Sequence, residues 1–265
     1  MLYTNKMEIT NYIIKLIKQK KELSDIPDKI VKEYLDIYCK KHNITLAIIK
    51  KSEIKIILKD IRSQLHNLTG MFQKTLKNRP RLLEKNKLKE LLKTHSSTAE
   101  RLGFYPELKN LIFSLKINSI LDLACGLNPV ALASKNSKYY ACDIKQDDLT
   151  IIKRFFKKNN IKGKVFIYDL KKINNNLPKT DLCILFKVLD IIEQKGHKLA
   201  EKIILSVRSK YVLISFATKT LSGKSMRLER RIWLEKLLER LNYHYKIFNS
   251  KNEIFYLVEK PIPLI

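Results

Sequence analysis

Two kinds of hydrophobic spacing divide the chain. Up to about residue 94, apolar residues recur every three or four positions, the period of a helix that buries one face. Val31, Tyr34, Leu35 and Tyr38 follow i, i+3, i+4, i+7, and Pro27, after Ser24 and Asp25, suits the start of the helix that carries them. A second helix is predicted through Ile48, Ile56, Ile57, Ile61 and Leu65, ending near Gly70. Asn78-Arg79-Pro80 interrupts the pattern, and 82–92 is predicted as one further helix. From about residue 118 the spacing changes. Short apolar runs at 119–124, 139–144, 165–168, 182–186 and 211–216 alternate with helical stretches near 146–159, 189–207 and 226–242. Alternation of this kind predicts a parallel sheet with helices on both faces. Runs at 243–248 and 253–258 around the polar turn 249–252 read as a closing hairpin. The boundary between the two regimes falls around 95–115, and there is no internal repeat.

Charge adds a partner to this picture. Lys and Arg number 53 against 26 Asp and Glu, a net charge of +27. Such a chain attracts polyanions, and nucleic acid is the natural partner because phosphate contacts release counterions. An AT-rich genome also favours Lys, Ile and Asn, which accounts for Lys over Arg but not for the shortage of acids. Lys50, Lys51, Lys55, Lys59 and Arg62 sit between the apolar positions of the second helix, so Lys55, Lys59 and Arg62 are expected nucleic-acid contacts. No basic amphipathic helix with an aromatic apolar face points to a membrane surface. Lys15, Lys18, Lys20 and Lys21 break up any leader-like apolar stretch, and no run is long enough to span a bilayer. A soluble, cytoplasmic, monomeric protein is expected. Cys39, Cys125, Cys142 and Cys183 show no CxxC spacing and no nearby His, so no metal site is expected.

The chemistry concentrates at predicted strand ends. Residues 120–125 form a buried strand that runs into Gly126, and in a doubly wound sheet ligands bind beyond the carboxyl ends of the strands. The next strand ends at Asp143, placed to hold two ribose hydroxyls, and the third at Asp169, placed to accept from an adenine amine. Ile144 and Leu170 would flank the ring. The alternative is that Asp143 and Asp169 merely cap helices. A nicotinamide dehydrogenase would want GxGxxG, and Gly126-Leu127-Asn128-Pro129 lacks the second and third glycines.

Four motifs in order then resemble one family, the aminoglycoside-resistance 16S rRNA guanine-N7 methyltransferases. His95-Ser96-Ser97-Thr98-Ala99-Glu100-Arg101-Leu102 resembles its H-x-S-T-x-E-R-L signature. Leu123-Ala124-Cys125-Gly126-Leu127-Asn128-Pro129 resembles its C-G-L-N-P turn. Phe186-Lys187 with Ile192-Glu193-Gln194-Lys195-Gly196 is similar to its K…L-E-x-Q-x-x-G segment. Residues 215–224 are similar to S-F-P-T-x-S-L-x-G-R. The resemblance implies a class I, Rossmann-like methyltransferase domain over 95–265, an all-helical RNA-binding domain over 1–94, and S-adenosylmethionine as cofactor. It implies that His95, Thr98, Ala124 and Phe186 line the cofactor site, that Arg101 faces the methionine carboxylate, and that Gly126 underlies it. Asp143 would hold the ribose and Asp169 the adenine. Lys187, Glu193 and Gln194 would lie beside the methyl group and target base, with Lys219 and Lys224 on RNA. The departures fall mostly near the target base: Ala217 for proline, Thr220 for serine, Ala99 for arginine, and a shortened glycine stretch after Gly223.

The reaction class agrees with the residues. Guanine N7 carries a free lone pair, so a methyl acceptor of this kind needs alignment and no general base. The position after the fourth strand reads Phe186-Lys187-Val188-Leu189, without the N-P-P-[YF] motif of exocyclic-amine enzymes, and Cys183 reads as core rather than nucleophile. A flipped base costs a few kcal/mol, which Phe216 and Lys187 at the pocket mouth could offset. Trp233, in line with Leu234, Leu237 and Leu238, reads as core; His42, His66, His197 and His244 are isolated and have no assigned chemistry. The competing functions are a tRNA guanine-N7 enzyme of the same family, a small-molecule methyltransferase, and a catalytically dead RNA-binding paralogue.

Overall fold

The computed structural model describes residues 6–69, 78–174, 176–193, 196–219, 226 and 229–261. By its contacts the chain forms two units, 1–71 with 144–147, and 72–143 with 148–265.

The first unit is helical. It contains α1 (Lys6–Lys18), α2 (Asp28–Lys41) and α3 (Lys51–Thr69). Ile9, Ile13 and Ile17 of α1, Val31 and Leu35 of α2, and Ile57, Ile61 and Leu65 of α3 share one core. Pro27 stands directly before α2 in the position its fixed φ favours. The apolar face of α3 is the expected one at Ile57, Ile61 and Leu65 and differs at two positions. Ile54, Ile57, Ile61 and Leu65 are buried, whereas Ile56 is 57% exposed and Ile48, 80% exposed, precedes the helix altogether. The 144–147 segment belongs to this unit through Ile144, buried in its core, and through Lys145, whose ammonium pairs with Asp25 and donates to the Glu22 carbonyl at 2.8 Å.

The second unit opens with four short helices, α4 (Arg79–Glu84), α5 (Leu88–Lys93), α6 (Ser96–Glu100) and α7 (Tyr105–Ser114). The single helix expected over 82–92 is two, because Asn86 adopts a left-handed φ of 54° between them. Leu83, Leu91, Leu92, Tyr105 and Leu108 share a core with the sheet, which is why the units divide after residue 71 rather than at 94. The buried Arg79 guanidinium pairs with Asp148 and donates to the Thr94 hydroxyl at 2.7 Å, fixing the approach to α6. Helix α7 falls in a stretch the sequence left as a boundary.

The sheet follows. Its strands are β1 (Ser119–Leu123), β2 (Lys138–Asp143), β3 (Gly163–Ile167), β4 (Thr180–Phe186), β5 (Ser209–Ala217), β6 (His244–Asn249) and β7 (Glu253–Glu259). They lie in the order β3-β2-β1-β4-β5-β7-β6. The first five are parallel, and β7 runs antiparallel to both β5 and β6. The expected doubly wound sheet with a closing hairpin is therefore present. Between the strands lie α8 (Asn128–Leu132), α9 (Gln146–Asn159), α10 (Leu189–Ile192), α11 (Lys198–Ser206) and α12 (Ile232–Arg240). The stretches expected as single helices over 189–207 and 226–242 are shorter. The first is divided at Glu193, whose backbone is extended. The second starts only after Arg231, whose guanidinium is held by Asp190 at 2.8 Å and by the Ala217 carbonyl at 3.0 Å. Strand order reverses between β1 and β4, the switch point beyond whose strand ends sheets of this kind bind ligands. Among the described residues no helix is long and apolar enough to cross a membrane.

Gly163 starts the edge strand β3 with φ +151°, and a Cβ there would lie 1.8 Å from the Tyr139 carbonyl oxygen of β2. Gly163→Ala is expected to destabilise the chain by about 2 kcal/mol or more, measured by urea unfolding, because the obstruction is backbone and cannot rotate away.

Candidate active site

The two strands flanking the switch point leave the sheet in the same way. Ala124 after β1 and Lys187 after β4 both have φ 54°, an uncommon conformation for residues with a side chain and one that clusters at functional sites. Gly126 follows with φ 49°, and a Cβ on it would meet His95 Nε2 at 2.9 Å. The imidazole of His95 thus packs on the glycine turn. The turn is pinned by Cys125 N donating to the Cys142 carbonyl at 3.0 Å and by Gly126 N donating to the Asp143 carboxylate at 2.9 Å.

Asp143 is therefore no helix cap. It ends β2, is 8% exposed, and holds the glycine turn of the neighbouring strand. For Asp169 the capping role is real: its carboxylate accepts from Lys171 N at 2.9 Å, with Leu170 buried beside it. Ile144 is buried in the core of the helical unit.

Beneath this turn lies a buried ionic network that the sequence did not reveal. Glu253, on β7, is 1% exposed. Its carboxylate accepts from Arg101 Nη2 at 2.8 Å and Nε at 3.2 Å, and from Ser215 Oγ at 2.8 Å. Lys187 Nζ lies 3.3 Å from its other oxygen and 2.5 Å from Glu100. Arg101 also donates to Asn128 Oδ1 at 2.7 Å and Ser97 Oγ at 3.1 Å, and its guanidinium stands 4.5 Å over the Phe186 ring. Tyr105 donates to the same Asn128 oxygen at 2.8 Å. Burial alone would lower the pKa of Arg101, and the Glu253 carboxylate overrides it and raises that pKa. Two cations thus meet two carboxylates, Glu253 buried and Glu100 exposed at the edge. Arg101, Phe186 and Lys187 are thus brought together, with the Arg101 side chain fully buried against Glu253. Glu253 was missed because an acid opening a short strand reads as a solvent-facing residue, and its partner Arg101 lies 152 residues away.

Other expected site residues have different work. Thr98 is 1% exposed and its hydroxyl donates to the carbonyls of Leu92 and His95, so it shapes the loop instead of facing a ligand. Glu193 accepts from Ala200 N at 2.9 Å and so caps α11. Phe216 is fully buried, edge-on to Trp233 and Tyr256, and offers no surface to RNA because β5 is covered on both faces. Arg62 turns back to the Leu16 carbonyl at 2.5 Å. Lys55 and Lys59 are exposed and Lys219 is half-buried. Gln194 and Lys224 lie outside the described residues.

With this geometry in view, the chain was compared with known proteins. The family model described as ribosomal RNA methyltransferase (FmrO) matches residues 78–245, more than half of the chain. A 16S rRNA (guanine(1405)-N(7))-methyltransferase of Serratia marcescens is 30% identical over 75% of this chain and 81% of its own.

The chain belongs to the FmrO family of ribosomal RNA methyltransferases.

A second such relative, from Proteus mirabilis, is 24% identical over 67% of this chain and 66% of its own. Among solved structures, that of 16S rRNA methyltransferase RmtF in complex with S-adenosyl-L-homocysteine superimposes with a TM-score of 0.78, covering 96% of this chain and 99% of that one at 23% identity, a likeness of fold. The 16S rRNA methylase ArmA matches with a TM-score of 0.54 at 26% identity over 69% of this chain and 98% of its own. The cofactor of this family is S-adenosylmethionine, and the residues present fit it. A glycine turn without a Cβ lies at the end of β1, and buried carboxylates stand at the ends of β2 and β3.

Two predictions come from the buried charges. Glu253→Gln takes from Arg101 its carboxylate partner and leaves Lys187 with Glu100, and should destabilise the chain by about 3 kcal/mol in urea unfolding. Asp122, fully buried on β1, has its pKa pushed up to about 7 by burial, against the Tyr139 hydroxyl and Arg101 that pull it down. The folded chain then keeps a proton that the unfolded chain releases above about pH 4, so this group's contribution to stability falls as pH rises to about 7 and is level above. Relative to the native chain, Asp122→Asn should gain on the order of 2 kcal/mol between pH 5 and pH 8, read from unfolding curves at each pH.

Proposed function

We propose that this chain transfers a methyl group from S-adenosylmethionine to N7 of a guanine in 16S rRNA, in the decoding region, with the helical unit docking on the folded RNA in the cytoplasm. The observation that carries the reading is the pinned glycine turn, with Asp143 bonded to Gly126 N at 2.9 Å beside the Arg101–Glu253–Lys187 network.

S-adenosylmethionine supplies an electrophilic methyl group on a sulfonium. Asp143 would accept from the ribose hydroxyls, its orientation fixed in advance by the glycine amide. Asp169, with Leu170 beside it, would accept from the adenine amine. Arg101, held in place by Glu253 and Asn128, would face the methionine carboxylate. The guanine N7 lone pair needs no proton removed, so the chain's task is alignment and exclusion of water. Transfer moves one positive charge from sulfur to the base. A neutral cluster of Arg101, Lys187, Glu100 and Glu253 does not repel that charge on either side of the step.

The exposed Lys55 and Lys59 and the net charge of +27 support RNA docking by the helical unit. The relatives bear 16S rRNA names, which favours a small-subunit guanine over a tRNA one. Tritium from labelled cofactor should enter purified small ribosomal subunits and not total tRNA. Asp143→Ala should weaken S-adenosylhomocysteine binding at least tenfold by calorimetry and abolish transfer.

A further inference from the structure

A pair of stacked rings stands apart from the cofactor site and has no part in the reading above. The imidazole of His197 lies flat on the indole of Trp233, with ring centroids 4.1 Å apart and planes within 1° of parallel. Trp233 is the one tryptophan of the chain. It is half-buried, backed edge-on by Phe216 at 5.9 Å, and Phe216 in turn packs under the Arg231 guanidinium at 5.0 Å. The indole is thus held rigidly from behind. His197 is exposed, with one face on the indole, and among the described residues no second ring stacks on its other face.

The backbone presents this imidazole at a cost. Gly196 has φ 79° and His197 φ 57°, two left-handed residues in succession, and the second carries a side chain. His197 is also the residue before α11, a nine-residue helix whose Ala200 amide is taken by Glu193 and whose Lys198 and Lys202 are exposed. A flat aromatic surface, rigidly backed and bordered by cations and a helix N-terminus, is how proteins hold unpaired nucleobases, the ring taking the base and the positive rim the phosphates. Phe216, the last but one residue of β5, puts the stack at the carboxyl edge of the sheet, the edge where Lys187 ends β4.

We propose that His197 and Trp233 form a stacking platform for an unpaired base of the RNA substrate, the base adding to the other face of His197. The proposal rests on the reading of the chain as an RNA methyltransferase, and specifies one site by which it holds an unpaired strand.

The test uses the full chain and a fluorescein-labelled 16S rRNA stem-loop with unpaired purines in its loop, titrated by anisotropy across a range of salt. His197→Ala should weaken binding about tenfold, the loss of one stacked base, with the slope of affinity against salt unchanged. His197→Phe should restore it. Trp233→Phe should keep most of the affinity, whereas Trp233→Ala should lose it. A fully paired duplex of equal length should bind the native chain and His197→Ala alike. Indole emission, which reports on this site alone, should change on binding the stem-loop and not the duplex. Heat of S-adenosylhomocysteine binding should be unchanged in every variant, which separates loss of the platform from loss of the fold. Equal stem-loop affinity for His197→Ala and the native chain would overturn the proposal, as would a salt slope lowered by about one, the mark of a lost phosphate contact. Failure of the functional reading would look different: no label would enter small subunits even with the native chain.

Discussion

The carboxylate of Glu253 is the constraint on which the second unit depends. It sits at the start of the last strand, out of water, and collects Arg101, Lys187 and Ser215 from a helix end, a strand end and a neighbouring strand. Any one of these groups buried alone would be costly, since an unpaired buried charge destabilises by several kcal/mol. Here Glu253 and, at the edge, Glu100 balance Arg101 and Lys187. The consequence is geometric: the α6 end, the β4 exit and the β5–β7 pair are fixed around one point, directly under the glycine turn. The closing hairpin therefore completes the site as well as the sheet.

The glycine turn is built on the same principle of mutual restraint. His95 occupies the space that a Cβ on Gly126 would need, and Asp143 takes the glycine amide. Thr98, expected on the cofactor, ties down the loop that carries His95. Binding groups are held before any ligand arrives, so little ordering remains to be done on binding. Membership of the FmrO family accounts for this arrangement as that of a ribosomal RNA methyltransferase.

Most of the architecture was legible from hydrophobic spacing, and the misses have physical causes. Strands 182–186 and 211–216 were found within a few residues because central strands of a covered parallel sheet are apolar throughout. The helix expected over 82–92 broke at Asn86, since a left-handed residue leaves no trace in apolar periodicity. The helix expected from 226 began only at Ile232, because the guanidinium of Arg231 is claimed by Asp190 and Ala217 from other elements. Ile48 and Ile56 were assigned to a buried face from type alone, and a helix in a small unit has only one such face. Phe216 was placed at a pocket mouth, where burial by both faces of the sheet forbids it.

The sequence alone determined what local chemistry controls: the two spacing regimes, the strand-end acids Asp143 and Asp169, the glycine turn, the basic charge, and the motifs that pointed to the family. Those features are properties of neighbours along the chain. Tertiary structure decided which of them act together. Glu253 and Arg101 are 152 positions apart, and His197 and Trp233 belong to different helical segments. Their pairing depends on strand order and burial, which fix distance and dielectric, and no pattern of spacing along the chain encodes either.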